Sequence, residues 1–523
     1  MRRRDLLKAA SILPAAQLAA PALAQVQKPL RFIPQANLTA LDPIWTTAVI
    51  TYNHAYMIYD KLYGWDGNQI QPQMIAGHNV SPDQLTWTFT LRDGLMFHDN
   101  EPVRARDCAM SIRRWGSRDS FGQVLMSYVH EIVSLDDKRF VIHLKKPCPQ
   151  LLFGFGARQC FIMPERDAAK PGTEQVTSAI GSGPFRFLRD EWVSGVRAAY
   201  AKFEHYVPRQ EPPRFFAGGK VAHFDRVEWS VQPDPATAAA ALQKNEADWI
   251  ESPLTDLVPM LQKTPGVYTK IIEPGGWAMF MQVNHLNPPF DNSKVRQAIL
   301  AALDQRAFAE VAVGDQSNLA VVPAGLFAPT MPMSNTAGMD LIATPRDIAK
   351  ARTMVAESGY RGEPIVLMSP SDQPMQSQLS EVARDLFQSI GLKVDYQVMD
   401  WGSLVTRRAS QKPLNQGGWG AFISVISPLT GANPGSMPPL HGVGRKGWFG
   451  WPTDERLEEL RAAWFDAPDL GSQRKLAEQI QRRFFETAPF YILCRVRTPM
   501  ALRTDIQDVV SASFPMFWGV RRV

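Results

Sequence analysis

Pro364-Ile-Val-Leu-Met368 is a short apolar run, Ser371-Asp-Gln-Pro374 follows it, and Lys393-Val-Asp-Tyr-Gln-Val-Met399 closes the segment that decides the fold class. The first run has the length and composition of a strand. Between the two runs Leu379, Val382, Ala383, Leu386 and Ile390 recur at helical spacing, so a helix with one apolar stripe joins two strands. Ser371 or Asp372 is placed to cap that helix, Pro374 falls in its first turn, and Gly391 ends it. Strand, helix and strand in this order make a βαβ unit, whose strands run parallel while the helix covers one face of the sheet. The expected fold class is α/β.

The same rhythm extends outward. Ile348 opens an amphipathic helix that runs to Gly359. Val295, Ala298, Ile299, Ala302 and Leu303 form the stripe of another, leaving Arg296, Gln297, Asp304 and Arg306 on its wet side. In the first half, Leu85-Thr-Trp-Thr-Phe-Thr-Leu91 alternates strictly, and Asp93-Gly94 followed by Leu95 to His98 predicts a β-hairpin. Cys108, Ile112 and Trp115 share a helix face behind it. Asp234-Pro235 starts an Ala-rich helix through Leu242 that Asn245 can end, with Glu246 and Asp248 read as a solvated turn. Trp401 to Thr453 differs: it holds no acidic residue, is rich in Gly and Pro, and carries Trp401, Trp419, Trp448 and Trp451. It reads as the least core-like region, an aromatic loop stretch suited to ligand contacts on a rigid scaffold. No internal repeat is apparent.

At 523 residues the chain is several times the usual domain size, so two or more lobes with separate cores are expected. With 45% hydrophobic and 20% charged residues and a mean hydropathy of −0.19, the composition is that of a water-soluble globular protein. Arg2, Arg3, Arg4 and Lys8 against Asp5 account for three of the five net positive charges, so the remainder is nearly neutral and lacks the basic stripe of a nucleic-acid binder. Residues 1–24 form an export leader, with a basic start, an uncharged stretch from Ala9, and small residues at Ala22 and Ala24. Arg3-Arg4-Asp-Leu-Leu-Lys8 resembles the twin-arginine signal, an ordinary Sec leader being the alternative. No Cys follows Ala24 to take a lipid, and no later stretch approaches the ~20 apolar residues of a membrane span. A periplasmic location is expected.

Cys108, Cys148, Cys160 and Cys494 lack zinc-site spacing. Cys148 and Cys160 are close enough in sequence to bridge, and whether they do turns on a Cα separation under ~7 Å. The machinery of a hydrolase is missing at motif level: there is no HExxH, no GxSxG and no phosphate loop. Gly442-Val-Gly-Arg-Lys-Gly447 matches a dinucleotide fingerprint in letters, but prolines precede it and Trp448-Phe-Gly-Trp-Pro452 follows, so it reads as a turn-rich loop. His98 and His285 read as satisfied histidines at strand ends. No cofactor and no metal site is implied.

Several segments together resemble one family. Leu41-Asp-Pro43 and Ile58-Tyr-Asp-Lys-Leu-Tyr63 come first, then Leu85 to Gly94 with Phe97-His-Asp99 and Val103 to Ile112. Gly181-Ser-Gly-Pro-Phe185, Asn284 with Pro288-Pro-Phe-Asp291, Val295-Arg-Gln-Ala298 and Leu303-Asp304 continue in order. The chain is similar, over nearly all of its length after the leader, to the extracellular solute-binding proteins of the peptide, nickel and opine class that serve ABC importers. The resemblance implies a two-lobed α/β periplasmic binding protein fold with a hinge and an additional inserted domain. Carried over, lobe I comprises 25–62, 180–283 and 490–523, the inserted domain 63–179, and lobe II 284–489. It also implies capture of a small solute by hinge closure and docking of a monomer on an inner-membrane permease and ATPase, with no chemical step. By family position the ligand contacts are Trp45, Thr46, Trp277, Met279, Trp401, Gly418, Trp419, Gly420 and Phe422. Peptide-binding relatives place an Asp just beyond the position of Trp419, and here Gly420-Ala-Phe-Ile-Ser424 has none. Unmodified free peptides are therefore expected to bind poorly, and ligands lacking a free amine or carrying an anionic group better, unless the other lobe supplies the carboxylate.

The ligand class left open is a peptide-like compound, modified peptide, opine or conjugate. Arg407, Arg408, Lys412, Arg445 and Lys446 in the acid-free segment favour one with an anionic group. The alternatives are a receptor or a metal or haem carrier not coupled to import, and a secreted hydrolase.

Overall fold

The computed structural model describes residues 28–343 and 346–523, so the leader with Arg3 and Arg4 lies outside the described residues. Two large sheets organise the chain. The first has seven strands in the order Val267–Lys270, Met500–Arg503, Trp249–Ile250, Leu30–Ile33, Arg226–Ser230, Arg197–Lys202 and Phe185–Phe187, with Leu30–Ile33 parallel to both of its neighbours. The second has six, in the order Ala320–Val321, Phe490–Val496, Trp277–Val283, Ala421–Ile426, Ile365–Pro370 and Val394–Met399. A four-stranded antiparallel sheet of Ile75–Val80, Thr86–Leu91, Arg139–Leu144 and Val129–Ser134 forms the inserted part. Among the described residues no helix is long and apolar enough to cross a membrane.

The βαβ unit forms as its spacing predicts: Ile365–Pro370 and Val394–Met399 pair in parallel, joined by the helix Pro374–Ser389, with Leu379, Ala383, Leu386 and Ile390 buried. Gly391 takes φ +89°, which glycine alone adopts without strain. The cap differs. Gln373 stands before the first turn without a side-chain bond, and Asp372 instead accepts the backbone N–H of Trp401 at 2.7 Å, tying the two ends of adjacent parallel strands together.

Among the described residues only two stretches, 271–276 and 497–499, carry the chain between the large sheets. Trp277–Val283 and Phe490–Val496, next to the expected borders at 283 and 490, belong to the second sheet. Lys270 pairs with Met500, so both crossings leave the first sheet at one edge. Ile250 pairs with Ala501, and the carboxyl ends of Trp249–Ile250 and Leu30–Ile33 therefore open on that same edge, toward the second lobe.

Other expectations need correction. Asp93-Gly94 turns the chain, with Gly94 at φ +77°, but Thr86–Leu91 pairs with Ile75–Val80 and Arg139–Leu144, and the run after the turn contributes only a bridge from Met96 to Pro102. Alternation marks a two-faced strand without naming its partners, and both of its edges are taken from elsewhere. Arg296 is buried, its guanidinium donating to the carbonyls of Phe290 (2.7 Å) and Thr487 (3.2 Å). Asp248 is fully buried in an ion pair with Arg31 at 2.7 Å and Arg522 at 3.2 Å, while Glu246 stays exposed. The stretch 401–453 supplies an interior strand of the second sheet, Ala421–Ile426, and nearly everything from Gly418 to Leu440 is buried. All four cysteines are free and buried, so Cys148 and Cys160 are not bridged.

The motif residues are anchors. Asp42 is fully buried, receives the Arg114 guanidinium at 2.6 Å and accepts the Val176 N–H at 2.9 Å. Asp60 holds the buried Lys220 ammonium at 2.7 Å and accepts the Tyr206 hydroxyl at 2.9 Å. A Cβ on Gly181 would lie 1.8 Å from the Ile58 carbonyl oxygen, which is why that position has no side chain. His98 accepts the Gly181 N–H at Nδ1 and faces the Gly183 carbonyl with Nε2 at 3.1 Å; burial pushes it down to about 4, so it is a neutral structural group. His285 likewise faces the Pro489 carbonyl at 2.9 Å.

Candidate functional site

The helix Val49–Ile58 forms the lobe I wall at the open edge. Before it, the Thr46 hydroxyl accepts the Ala48 N–H at 3.2 Å, and Trp45, 39% exposed, lies under the Arg118 guanidinium at 5.8 Å. From the helix Tyr52 packs edge-on to Phe514 (5.8 Å), and Phe514 meets Trp277 at 6.4 Å. Tyr56, one turn on, stacks on Phe216 at 4.6 Å, and its buried hydroxyl has no partner.

Beside this aromatic wall sits Arg158. Its backbone is fixed from below, because the buried Lys61 ammonium donates to the carbonyls of Gly156 and Arg158. Burial holds that lysine well below its ordinary range. The Arg158 guanidinium pairs through Nη2 with Asp119 at 2.9 Å, while Nε and Nη1 are buried with no acceptor. Asp119 is committed to two other donors, the N–H groups of Phe121 and Gly122 at 3.0 Å each, as the cap of the helix Ser120–Tyr128. One guanidinium face is therefore held and the other is free to receive an acceptor.

A second aromatic group lies within lobe II, with Gly420 and Phe422 at the Val283 end of Trp277–Val283, the end of the sheet away from the crossings. Trp419, Phe422 and Trp451 are buried with Val366, Met368 and Leu404, and Trp401, Trp448 and Phe449 pack around them. The Trp419 indole N–H donates to the Arg408 carbonyl at 3.0 Å, and its own carbonyl accepts the Asn284 amide at 3.0 Å. A Cβ on Gly418 would lie 2.2 Å from the Lys412 carbonyl oxygen, and one on Gly420 3.1 Å from the Val366 nitrogen. The structure thus brings Trp401, Gly418, Trp419, Gly420 and Phe422 together. It places Trp277 with Tyr52 and Phe514, Trp45 and Thr46 at the rim near Arg118, and Met279 within the sheet opposite Val425. Tyr52, Asn53, Asp119, Arg158, Glu251 and Phe514 carry no motif signal; only buried charge without a sequence-local partner could have singled some of them out.

Next to the Asp119 cap the inserted part touches lobe II. Phe121 meets Phe465 at 5.1 Å, and Asp466 accepts the Tyr128 hydroxyl at 2.6 Å and the Lys146 ammonium at 2.8 Å. Near the crossings Ala328, Met331, Leu429 and Ala432 pack into the lobe I core. Among the described residues no group of three or more His, Cys, Asp or Glu is arranged to hold a metal ion.

Two α/β lobes joined by two crossings, with an aromatic wall and a buried half-free guanidinium on lobe I beside Trp277 at the crossing, define a hinged receptor for a small ligand. Residues 69–447 match the model of the bacterial extracellular solute-binding proteins, family 5, and the chain belongs to that family. It is 38% identical to a Sinorhizobium fredii protein named as a probable peptide ABC transporter periplasmic-binding protein, over 99% of both chains. It is 24% identical to the glutathione-binding protein GsiB of Pectobacterium atrosepticum, over 88% of this chain and 87% of that one. In fold it is similar to the periplasmic binding protein AgaA of A. tumefaciens R10, solved with agropinic acid (TM-score 0.78, 21% identity, 95% of this chain and 99% of that one). It is also similar to the dipeptide-binding protein of Pseudoalteromonas sp. SM9913, solved with Met-Leu (TM-score 0.80, 18% identity, 95% and 100%). The protein is a periplasmic solute-binding component of ABC import.

Proposed function

We propose that the solute is a small peptide-like or opine-like compound with an acidic group, held at the seam of the two lobes and released unchanged to the permease and ATPase by a monomeric carrier. The observation that carries this reading is Arg158, a buried guanidinium with Nε and Nη1 unpartnered at an edge lined by Tyr52, Phe514 and Trp277. A buried guanidinium with open donors is costly unless an acceptor arrives, and a carboxylate matches its fork. Lobe I then comprises the first sheet, lobe II the second, and 63–179 the insertion. Trp45, Thr46 and Trp277 line the mouth with Trp401, which follows the carboxyl end of Val394–Met399, while Met279, Gly418, Trp419, Gly420 and Phe422 brace lobe II from within. Residues 1–24 act as the export leader, with Arg3 and Arg4 as its recognition pair. A receptor not coupled to import, or a hydrolase, would have to use the same seam without delivery or with turnover.

Native mass spectrometry of the protein purified from periplasm tests the reading. An acidic solute of small mass is expected on the wild type, with its occupancy much reduced in Arg158→Gln. A neutral or cationic solute without any acidic group, or wild-type occupancy in that variant, removes Arg158 from the site.

A further inference from the structure

Glu251 is the first residue beyond the strand Trp249–Ile250, at the edge of the first sheet that opens toward lobe II. It is 6% exposed, while Gln35 and Ser252 around it are exposed. Its Oε1 accepts the Asn53 amide at 2.7 Å and its Oε2 the Gln35 backbone N–H at 2.8 Å. Among the described residues no cation pairs with it. Buried Asp42 has Arg114, Asp60 has Lys220, and Asp248 has Arg31 and Arg522, whereas Glu273 on the crossing, like Glu251, has neutral donors, but three of them: the Gly275 N–H and the Thr330 and Ser513 hydroxyls. Asn53 is fully buried, and its Oδ1 has no donor. The pair therefore offers three oxygens with fewer donors than they can take, at the carboxyl ends of parallel strands, where α/β sheets receive ligands.

We propose that Glu251 and the Asn53 amide oxygen form a cation subsite that takes the protonated amine of a zwitterionic solute whose acidic group goes to Arg158. The assignment rests on the seam being the binding site, as proposed above. Tyr52 and Asn53 are adjacent on one helix: Tyr52 lies within the field of Arg158, and Asn53 touches Glu251, so a single turn of helix borders both charged ends. An ammonium group brings N–H donors that complete the open oxygens, and its charge offsets the uncompensated carboxylate. A quaternary ammonium brings none and is excluded. Lobe I thereby supplies the carboxylate that the acid-free stretch 401–453 lacks.

The test uses the exported full-length protein as wild type, Glu251→Gln and Arg158→Gln. Gln keeps the volume and can donate to the open Asn53 oxygen, so the variant is expected to fold with a thermal midpoint no lower than that of the wild type. Carried solute is released, weighed and treated with an amine-reactive reagent, and Met-Leu and N-acetyl-Met-Leu are added as probes in calorimetry. The expected solute bears a basic nitrogen. Glu251→Gln lowers its retention, or the affinity for the free-amine probe, by about tenfold or more and leaves the acetylated probe unaffected. A carried solute with no basic nitrogen, undiminished retention in Glu251→Gln, or a wild type that holds no amine either carried or added, overturns the subsite. If Arg158→Gln loses the solute and Glu251→Gln does not, the seam reading stands and only the cation subsite falls; if neither variant changes occupancy, both fall.

Discussion

Phe121 and Phe465 stand with ring centroids 5.1 Å apart, one from the inserted part and one from lobe II, and Gly435 lies against both. A Cβ at Gly435 would come within 2.6 Å of the Phe465 ring and 3.0 Å of the Phe121 ring. The lobes can close there only because that position has no side chain. Gly435→Leu should cost about 1–3 kcal/mol, part of it within lobe II against Phe465 and part across the lobe contact against Phe121. Small-angle scattering is expected to show a larger radius of gyration than the wild type, and the solute should bind correspondingly weaker. An unchanged radius and affinity would mean that the two rings part without opening the lobes.

Burial without a cation raises Glu251 to about 7, from an ordinary value of 4.5. Between those values the folded chain holds a proton that the unfolded chain has released. Stability of the solute-free protein should therefore fall as pH rises through this window, by ~3 kcal/mol in all. Glu251→Gln removes the titration, so its advantage over wild type should be small at pH 4.5 and largest at pH 8 in urea denaturation. A pH-independent difference would show that Glu251 is already ionised in the free protein. An amine solute that pairs with the ionised form should bind better as pH rises toward 8.

The α/β class, the βαβ unit and the anchoring motifs were legible because they depend on local spacing: the stripe Leu379 to Ile390 and the stop at Gly391 need no distant partner. The partners of Thr86–Leu91 were not legible, since its register is set by strands at Ile75–Val80 and Arg139–Leu144 and not by the turn beside it. The stretch 401–453 misled because Gly418 and Gly420 mark close backbone approach in a packed interior as readily as a loop. Arg158, Asp119, Glu251 and Asn53 belong to elements far apart in the chain, and the sequence around each is ordinary. What singles them out is missing hydrogen-bond partners, a property of the folded arrangement alone.

Export offers a separate check. The twin-arginine reading assigns recognition to Arg3 and Arg4 as a pair, whereas a Sec leader needs only positive charge before its apolar stretch. Replacing both by Lys preserves charge and should trap the protein in the cytoplasm. Normal arrival in the periplasm, followed by fractionation and immunoblot, would assign the Sec route.

Trp277 and Trp419 should separate binding from support. Trp419 is fully buried between Phe422 at 5.0 Å and Trp451 at 5.8 Å, and its N–H satisfies the Arg408 carbonyl. Trp419→Ala leaves a cavity and an unbonded carbonyl, a loss of about 3–5 kcal/mol in stability. Trp277 is only partly buried, at the mouth of the seam against Phe514. Trp277→Ala should cost little stability and about 1–3 kcal/mol of solute affinity. Trp401, partly buried at the start of its helix, should fall between them. Urea denaturation and calorimetry on the same preparations decide the assignment. A Trp419→Ala protein of wild-type stability that binds solute weakly would make Trp419 a direct contact, and a Trp277→Ala protein of full affinity would move the mouth of the site away from Phe514.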